Sequence, residues 1–276
     1  MRLTSLSNVL ITGVDGMVGS YVDFGIKTNH HSLDITNLSE TMAVIGKYKP
    51  EVIIHLAAET DVDRCEREPE RAYMVNSTGT LNVANAAKKI GAKVVYVSTV
   101  YVFDGSKHGA YLESDLPCPS NHYGRSKYFG ELIIKGILDD YLIARAGWVF
   151  GGGPEKDRKF VAKIIKQLQQ DEVKVVDDKL GSLTYAKDLV DKIKTMIVEG
   201  KSGLVHVANA GFCSRYDVAI EIKKIMNSHS ILTPVDSSYF NLDASRSDSD
   251  IMESLTGGIV RPWQEALSAY IATEWI

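Results

Sequence analysis

The sequence predicts an α/β fold in which a doubly wound parallel sheet carries a smaller, discontinuous C-terminal lobe. Short apolar runs without polar alternation recur through the first half of the chain, which is typical of strands buried on both faces of a parallel sheet. Amphipathic helical stretches separate these runs. A glycine-rich turn directly follows the first run, as in open α/β sheets that bind ligands at the ends of their strands.

Four apolar runs supply the central strands of the predicted sheet. The second run begins after Pro50 and contains His55, which we predict to be a hydrogen-bonded core histidine. The third run ends at Ser98 and Thr99. The runs are residues 8–12, 51–58, 93–99 and 141–146.

Apolar residues at helical spacing predict the helices between and after these strands. The first of these stretches ends at Gly91, a common residue just past the end of a helix. The predicted helices are residues 71–90, 123–137, 159–170, 187–198, 216–226 and 262–273, and two further short strands are predicted at residues 173–176 and 204–207.

The composition excludes several classes of protein. The 276 residues carry 31 basic and 35 acidic side chains, a net charge of −4, whereas nucleic-acid binding normally needs a basic face. No apolar run approaches the roughly 20 residues of a membrane-spanning helix. The three cysteines are scattered and match neither a disulfide framework nor a zinc-binding spacing. We therefore predict a cytoplasmic protein that binds neither nucleic acid nor membrane and holds no metal.

The turn after the first strand is the first candidate binding element. Gly13, Gly16 and Gly19 lie three residues apart, which permits a tight turn and a close approach of the backbone to a pyrophosphate. The N-terminus of the following helix would supply N–H donors and a favourable dipole. This is the arrangement of a Rossmann dinucleotide site.

The segment after this turn is too short for a full helix and a full second strand. We therefore predict a clipped helix at residues 21–24 and an abbreviated strand at residues 26–28. No acidic residue lies clearly at the end of that strand to bind a ribose 2′-hydroxyl, whereas Lys27, His30 and His31 would suit a 2′-phosphate. The choice between NADPH and NADH as cofactor stays open at this point.

A tyrosine and a lysine form the second candidate site. Tyr123 and Lys127 are four residues apart on a predicted helix and therefore share a face. Reduction of a carbonyl requires a proton donor, and Tyr123 would be that general acid. The ammonium of Lys127 would lower the pKa of the phenol and hold the nicotinamide ribose. Ser98 or Thr99 would donate a hydrogen bond to the carbonyl oxygen, where negative charge develops.

From the positions of these sites and a break after residue 150, we predict that the chain forms two lobes. We expect residues 1–150 to form the dinucleotide-binding core, with residues 185–208 returning to it. Three consecutive glycines after residue 150 and Pro154 then form a flexible break. Residues 151–184 and 209–276 are expected to form the substrate-binding lobe.

Beyond these patterns, the chain resembles the dTDP-4-dehydrorhamnose reductase family, a branch of the extended short-chain dehydrogenases/reductases. The resemblance covers nearly the whole chain, and residues 57–76 together with YVFDG (101–105) carry it more specifically than the glycine turn does. The matching stretches are TGVDGMVG (12–19), LDIT (33–36), KPEVIIHLAAETDVDRCEREPERAYMVN (49–76), STVYVFDG (98–105), YGRSK (123–127), ARAGWVFG (144–151) and GSLTYAKDL (181–189).

The resemblance implies reduction of a 4-keto-6-deoxy sugar nucleotide by NADPH or NADH, with hydride delivered to the sugar C4. It also implies a role for each matching residue, with Arg246 as a candidate for binding the substrate diphosphate. The implied catalytic set is Thr99, Tyr123 and Lys127. The implied cofactor-binding residues are Gly13, Gly16, Met17, Val18, Asp34, Ile35, Ala57, Ala58, Thr60, Ser98, Tyr123 and Lys127, and the implied substrate-binding residues are Thr99, Val100, Trp148 and Arg246.

The chain departs from the family pattern at two functional positions. Val100 stands where the family has an acidic residue, and Ser247 follows Arg246 where the family has proline. Two further functions therefore stay open: a non-catalytic regulatory subunit like that of methionine adenosyltransferase, and a related sugar-nucleotide epimerase. Folds of this kind often pair through helices, so a homodimer is considered as well.

Overall fold

The computed structural model describes residues 6–276. The first half of this range alternates strands and helices, as the apolar runs predict. Its elements are β1 (Val9–Thr12), β2 (Ile26–Lys27), α1 (Leu38–Tyr48), β3 (Val52–His55), α2 (Val62–Arg67), α3 (Pro69–Tyr73), α4 (Gly79–Ile90), β4 (Lys93–Thr99), α5 (His122–Ile137) and β5 (Tyr141–Ala146).

The second half contains shorter strands, most of them outside the central sheet. Its elements are β6 (Trp148–Phe150), α6 (Gly153–Lys156), α7 (Phe160–Gln167), β7 (Glu172–Val176), β8 (Leu180–Gly181), β9 (Leu183–Tyr185), α8 (Ala186–Val198), β10 (Gly203–Val207), β11 (Asn209–Ala210), β12 (Cys213–Ser214), α9 (Arg215–Ile225), β13 (Ile231–Val235), β14 (Ser249–Asp250), β15 (Val260–Pro262) and α10 (Trp263–Glu274).

The central sheet is parallel, and its strands lie in the spatial order β10-β5-β4-β3-β1-β2. Neighbouring side chains on each strand pack on opposite faces. Leu10 and Ile53 pack on the side of α1, α4 and α5, whereas Ile11 and Ile54 pack on the side of α8. The predicted doubly wound α/β class is therefore confirmed. The winding reverses between β1 and β3, so the ligand crevice is expected at their carboxyl ends.

The segment after the glycine turn contains even less regular secondary structure than expected. The clipped helix predicted at residues 21–24 is wrong, because only a single 3₁₀ turn, Gly19–Tyr21, precedes β2. The hydroxyl of Tyr21 donates to Glu274 of α10 (2.5 Å) and accepts from the backbone N–H of Gly152 (2.5 Å). The C-terminal helix thus supports the glycine turn where a longer first helix is missing.

Two helical regions differ from the sequence prediction. Helix α1 was not predicted, because few of its residues are buried, although Asn37 caps it by accepting from the backbone N–H of Glu40 (3.1 Å). The single helix predicted at residues 71–90 is interrupted by a π-helical segment, Met74–Thr78. This wider turn contains Asn76, which is buried.

The division into two lobes stays a proposal. In its support, β10 pairs with β5 at the edge of the central sheet, and α8 packs on the sheet face. Residues of α7, α9 and α10 gather in a separate apolar cluster that includes Phe150, Val173 and Trp263.

Two glycines of α5 test how closely this helix packs against the sheet. A Cβ at Gly130 would lie 2.2 Å from the Tyr96 Oη and 3.1 Å from the carbonyl oxygen of Asn76. We expect Gly130→Ala to lower the free energy of unfolding by about 1–3 kcal/mol, because the packed core has to shift. The matched variant Gly136→Ala, with no neighbouring atom within 4 Å of its Cβ position, should instead stabilise the protein by about 0.5–1 kcal/mol. Urea unfolding of both variants measures the difference, and equal effects would contradict it.

Candidate active site

Two glycines of the turn are packed so closely against backbone that they leave no room for a side chain, and the third has space above it. Gly13 has φ of +72°, and a Cβ there would lie 2.6 Å from the backbone nitrogen of Ala57. A Cβ at Gly19 would lie 2.4 Å from the Cα of Val14. At the exposed Gly16 the nearest atom would be 3.4 Å away. The fold therefore requires Gly13 and Gly19, whereas the space above Gly16 fits the close approach of a pyrophosphate.

Hydrogen bonds between buried side chains join β1 to β3 beneath this turn. His55 Nδ1 lies 2.8 Å from the hydroxyl of Thr12, and its Nε2 lies 3.1 Å from the hydroxyl of Thr80. Burial lowers the pKa of His55 to about 3, and the charge of Lys127 adds to that effect. His55 is thus a neutral, hydrogen-bonded core residue, which confirms the sequence interpretation.

Thr99, Tyr123 and Lys127 come together at the carboxyl end of β4. All three are buried, with exposures of 5%, 9% and 3%. Asn121 caps α5 by accepting from the backbone N–H of Gly124 (2.8 Å), so the tyrosine and the lysine occupy its first turns. The arrangement places a phenol and an amine on one helix face beside the strand end.

Burial opposes the charged form of both groups. It raises the pKa of Tyr123 well above its usual range, and the nearby hydroxyl of Thr99 opposes that rise. Burial lowers the pKa of Lys127 to about 7, and the charge of Glu131 opposes that fall. The Lys127 Nζ lies 4.0 Å from the centre of the Tyr96 ring, a cation–π contact.

A fully buried ion pair lies behind the catalytic set. Two nitrogens of the Arg145 guanidinium donate to the two carboxylate oxygens of Glu131, at 2.8 and 2.7 Å. Glu131 and Arg145 are 0% and 1% exposed. The hydroxyl of Ser98 donates to the same carboxylate (2.7 Å), so it is directed away from the cleft, whereas Thr99 stays beside Tyr123.

Sequence reasoning missed this ion pair, although two signals point to it. Glu131 follows Lys127 by four residues and therefore lies on the same face of α5. Arg145 is the one charged residue of β5, whose other residues are apolar. Charges in such apolar surroundings need a partner.

Val100, which the resemblance implies for substrate binding, is a buried core residue. Its side chain is fully buried in an apolar cluster with Val102, Phe103 and Met252. The next residue, Tyr101, presents its ring edge-on to that of Tyr123 at 5.9 Å. The substitution of an acidic residue by valine therefore keeps this cluster free of a buried charge.

The other residues implied in cofactor binding surround the strand ends in different environments. Ile35 is buried against Gly79 of α4, whereas Asp34 is exposed and accepts from the backbone N–H of Thr36 (2.9 Å). The carbonyl of Thr60 accepts from the ammonium of Lys159 (2.7 Å). Half-buried side chains complete this rim: Met17, Val18, Ala57 and Ala58.

Asn76 in the π-helical segment holds the rim against α5. Its amide nitrogen donates to the carbonyl of Glu59 (3.0 Å) and to the hydroxyl of Ser126 (2.9 Å). Its amide oxygen accepts from the backbone N–H of Glu59 (2.9 Å). The loop after β3 is therefore fixed relative to α5.

Trp148 and Arg246, which the resemblance implies for substrate binding, both have polar protein partners. The indole Nε1 of Trp148 donates to the buried carboxylate of Asp250 (2.8 Å). The guanidinium of Arg246 pairs with Asp63 of α2 (2.8 Å) and donates to the carbonyl of Ala244 (2.9 Å). Trp148 is thereby fixed, and the charge of Arg246 is already balanced by a carboxylate.

An open glycine turn at the switch point of a doubly wound sheet, beside a buried Thr/Tyr/Lys set, defines the class of oxidoreductases that use a nicotinamide dinucleotide. The chain belongs to the RmlD substrate binding domain family, whose model matches residues 7–275. The family expected from the sequence motifs is thus confirmed, and with it the expected class of enzyme.

Relatives and solved structures of this family match almost the whole chain. The spore coat polysaccharide biosynthesis protein SpsK of Bacillus subtilis is 31% identical over 96% of this chain and 97% of its own. The dTDP-4-dehydrorhamnose reductase of Mycobacterium tuberculosis is 33% identical over 96% of this chain and 92% of its own. The crystal structure of the dTDP-4-dehydrorhamnose reductase of Bacillus anthracis in complex with NADP is 35% identical, with a TM-score of 0.91 over 96% of this chain and 98% of that one.

A more distant structure shares the fold alone. The UDP-glucose 4-epimerase of Thermus thermophilus is 18% identical, with a TM-score of 0.80 over 96% of this chain and 97% of that one. Separately, none of the helices described between residues 6 and 276 is long and apolar enough to span a membrane.

Glu131→Gln tests the buried ion pair. The substitution leaves the charge of Arg145 buried without its counter-charge, so we expect a loss of about 3–5 kcal/mol in the free energy of unfolding. Asp191→Asn is the matched control, because it breaks an exposed pair with Lys187 (2.9 Å) and should cost at most about 1 kcal/mol. Comparable losses in denaturant unfolding would contradict the prediction.

The buried Lys127 predicts a pH-dependent stability difference. Because its pKa falls from 10.5 to about 7, the unfolded chain binds more protons between these values and the stability of the folded protein rises with pH. The penalty of the buried charge is fully present below about pH 7. We therefore expect Lys127→Met without added ligand to exceed the wild type in stability at low pH, with an advantage that shrinks as pH rises above 7.

Denaturant unfolding across this pH range measures that difference. Lys163→Met on α7, where the lysine is exposed, serves as the control for loss of a positive charge. A stability difference for Lys127→Met that does not change with pH would contradict the prediction.

Proposed function

We propose that this protein reduces a dTDP-activated 4-keto-6-deoxy sugar at its C4 carbonyl. The observation that carries the proposal is the placement of Tyr123 beside Thr99 and one helical turn from Lys127, at the sheet edge that also presents the glycine turn. The names of the relatives support the same substrate class. A bound nicotinamide dinucleotide would supply the hydride.

The residues of this chain would supply the proton and stabilise charge. We propose that Tyr123 donates its phenolic proton to the oxygen at C4 as negative charge develops there. Burial keeps the phenol protonated before the reaction, as a general acid must be. Thr99 would donate a hydrogen bond to the same oxygen, and the ammonium of Lys127 would favour loss of the tyrosine proton.

The cofactor would lie across the glycine turn, with its pyrophosphate in the space above Gly16. Asn29, after β2, donates to Asp15 of the turn (2.8 Å), so the loop that follows β2 is joined to this site. The exposed basic side chains Lys27, His30 and His31 belong to the same segment. They suit a 2′-phosphate, and the relative from Bacillus anthracis holds NADP, so we propose NADPH as the preferred reductant.

We propose that the substrate lobe, residues 151–184 and 209–276, faces the catalytic set across the cleft. Trp148 borders this lobe, since Gly181 would place a Cβ 2.5 Å from its indole ring. Arg246 meets Asp63 of the core at the same boundary. Polar contacts therefore join the two lobes where a sugar nucleotide would bind.

Tyr123→Phe tests the assigned role of the phenol. We expect kcat/KM to fall by about 100- to 10,000-fold, the usual contribution of a general acid, while NADPH affinity changes little. Tyr48→Phe on α1 makes the same chemical change at a side chain that is 41% exposed and should leave activity unchanged. The measurements are the absorbance of reduced nicotinamide with an enzymatically prepared dTDP-4-keto-6-deoxy sugar, and calorimetry for the cofactor.

Three outcomes would count against the proposal. Undiminished turnover by Tyr123→Phe would exclude the phenol as the proton donor. Binding of NADPH by a wild-type protein that reduces no keto-sugar would favour a regulatory subunit. Isomerisation of a sugar nucleotide with a nicotinamide retained through the cycle would favour an epimerase.

A further inference from the structure

Arg215 is the first residue of α9, and its guanidinium lies near two aromatic rings. Its guanidinium carbon is 4.5 Å from the centre of the Trp148 ring and 5.0 Å from the centre of the Phe160 ring. Both contacts fall within the range of cation–π attraction. The cation–π contacts hold the guanidinium through its charge and leave its N–H groups available as hydrogen-bond donors.

No protein group between residues 6 and 276 uses those donors. Within that range the side chain of Arg215 forms neither an ion pair nor a hydrogen bond, although the residue is only half-exposed. Other arginines are occupied: Arg145 by Glu131, Arg246 by Asp63 and Arg261 by Asp188. Arg215 thus brings a positive charge with unused donors into the cleft.

The Trp148 ring, which contacts Arg215, is itself fixed by its neighbours. The indole of Trp148 donates to Asp250, a carboxylate that is 2% exposed and also accepts from the hydroxyl of Ser247. The opposite strand contributes Gly181, where any side chain would collide with the indole. A guanidinium held against such a fixed ring is positioned in advance for an anion that accepts two hydrogen bonds from it.

Tyr101 connects this position to the catalytic set. Its ring meets that of Tyr123 edge-on at 5.9 Å. Burial raises the pKa of Tyr101 to about 12 and the charge of Asp250 adds to the rise, whereas Arg215 and Arg246 oppose it. Both arginines therefore act on the phenol next to the proposed proton donor, but of the two only Arg246 forms an ion pair with a carboxylate.

We propose that Arg215 binds the diphosphate of the nucleotide-sugar substrate, an inference that rests on the proposed function. Phosphate oxygens accept from a guanidinium in bidentate geometry, and the N–H groups of Arg215, held near Trp148 and Phe160, are available for such a contact. Arg246, which the family resemblance implies for the same role, is neutralised by Asp63 and instead joins the two lobes. Arg215 is thus a specificity-determining residue for substrates that carry a diphosphate.

The test compares three variants of α9. Arg215→Met removes the charge and keeps an unbranched side chain, and Arg215→Lys keeps a charge without the planar fork. Lys224→Met removes a positive charge from the same helix at a side chain that is 75% exposed. Calorimetry with dTDP, deoxythymidine and NADPH gives the affinities, steady-state reduction of the keto-sugar gives KM and kcat, and thermal melting checks that each variant is folded.

We expect Arg215→Met to weaken dTDP binding by at least about tenfold, a loss of about 1.4 kcal/mol. Its affinities for deoxythymidine and NADPH should stay at the wild-type values, and KM should rise by the same factor as the dTDP dissociation constant, with little change in kcat. Arg215→Lys should be intermediate, and Lys224→Met should match the wild type. This pattern would establish a contact with the diphosphate.

Other patterns would overturn the inference. Unchanged dTDP affinity in Arg215→Met, with normal turnover, would refute it and leave the proposed function standing. An equal loss for dTDP and deoxythymidine would make Arg215 a support for Trp148, and a loss for NADPH would make it a cofactor residue. A wild-type protein that binds no dTDP would refute it as well. If dTDP binding depends on Arg215 but no keto-sugar is reduced, the diphosphate site stands and the proposed reaction fails.

Discussion

The buried ion pair between Glu131 and Arg145 is the constraint on which the site depends. It joins α5 to β5, and Ser98 of β4 donates to the same carboxylate, so one interaction sets the helix against two central strands. Loss of the Glu131 charge would leave the buried Arg145 guanidinium without its carboxylate partner. Because Tyr123, Lys127 and Glu131 follow one another by four residues on α5, fixing the last of them also fixes the first two.

Close packing makes this arrangement possible and also gives the site its chemistry. Glycines at positions 124 and 130 let α5 approach backbone and side-chain atoms that any larger residue would meet at about 2 Å. The same closeness removes water, and burial then disfavours the charged forms of Tyr123 and Lys127. A phenol that keeps its proton and a lysine that titrates near neutrality are the result, and both suit proton donation at a developing oxyanion.

Two arginines of the C-terminal half, Arg215 and Arg246, differ in the groups that hold them. Arg246 pairs with Asp63 and so joins the loop before β14 to α2. Arg215 is held by aromatic rings, which attract the cation but leave its donors free. Two arginines that look equivalent in sequence therefore have different electrostatic roles, one structural and one open to an anion.

Features of the fold that depend on local pattern could be predicted from the amino-acid sequence. Apolar runs predicted the strands of the parallel sheet, and the spacing of Tyr123 and Lys127 placed both on one helix face, because burial and helical pitch repeat along the chain. The spacing of Gly13 and Gly19 likewise predicted a tight turn.

The contacts between particular side chains could not be predicted in this way. Ser98 bonds to Glu131 whereas Thr99 lies beside Tyr123, and Val100 is buried in an apolar cluster. Arg215 contacts aromatic rings whereas Arg246 forms an ion pair. Asn76 lies on a π-helical turn, and a single 3₁₀ turn, whose Tyr21 donates to Glu274, stands where a first helix was expected. These choices depend on contacts between residues far apart in the chain, and local periodicity reports whether a residue is buried but not the partner that it meets.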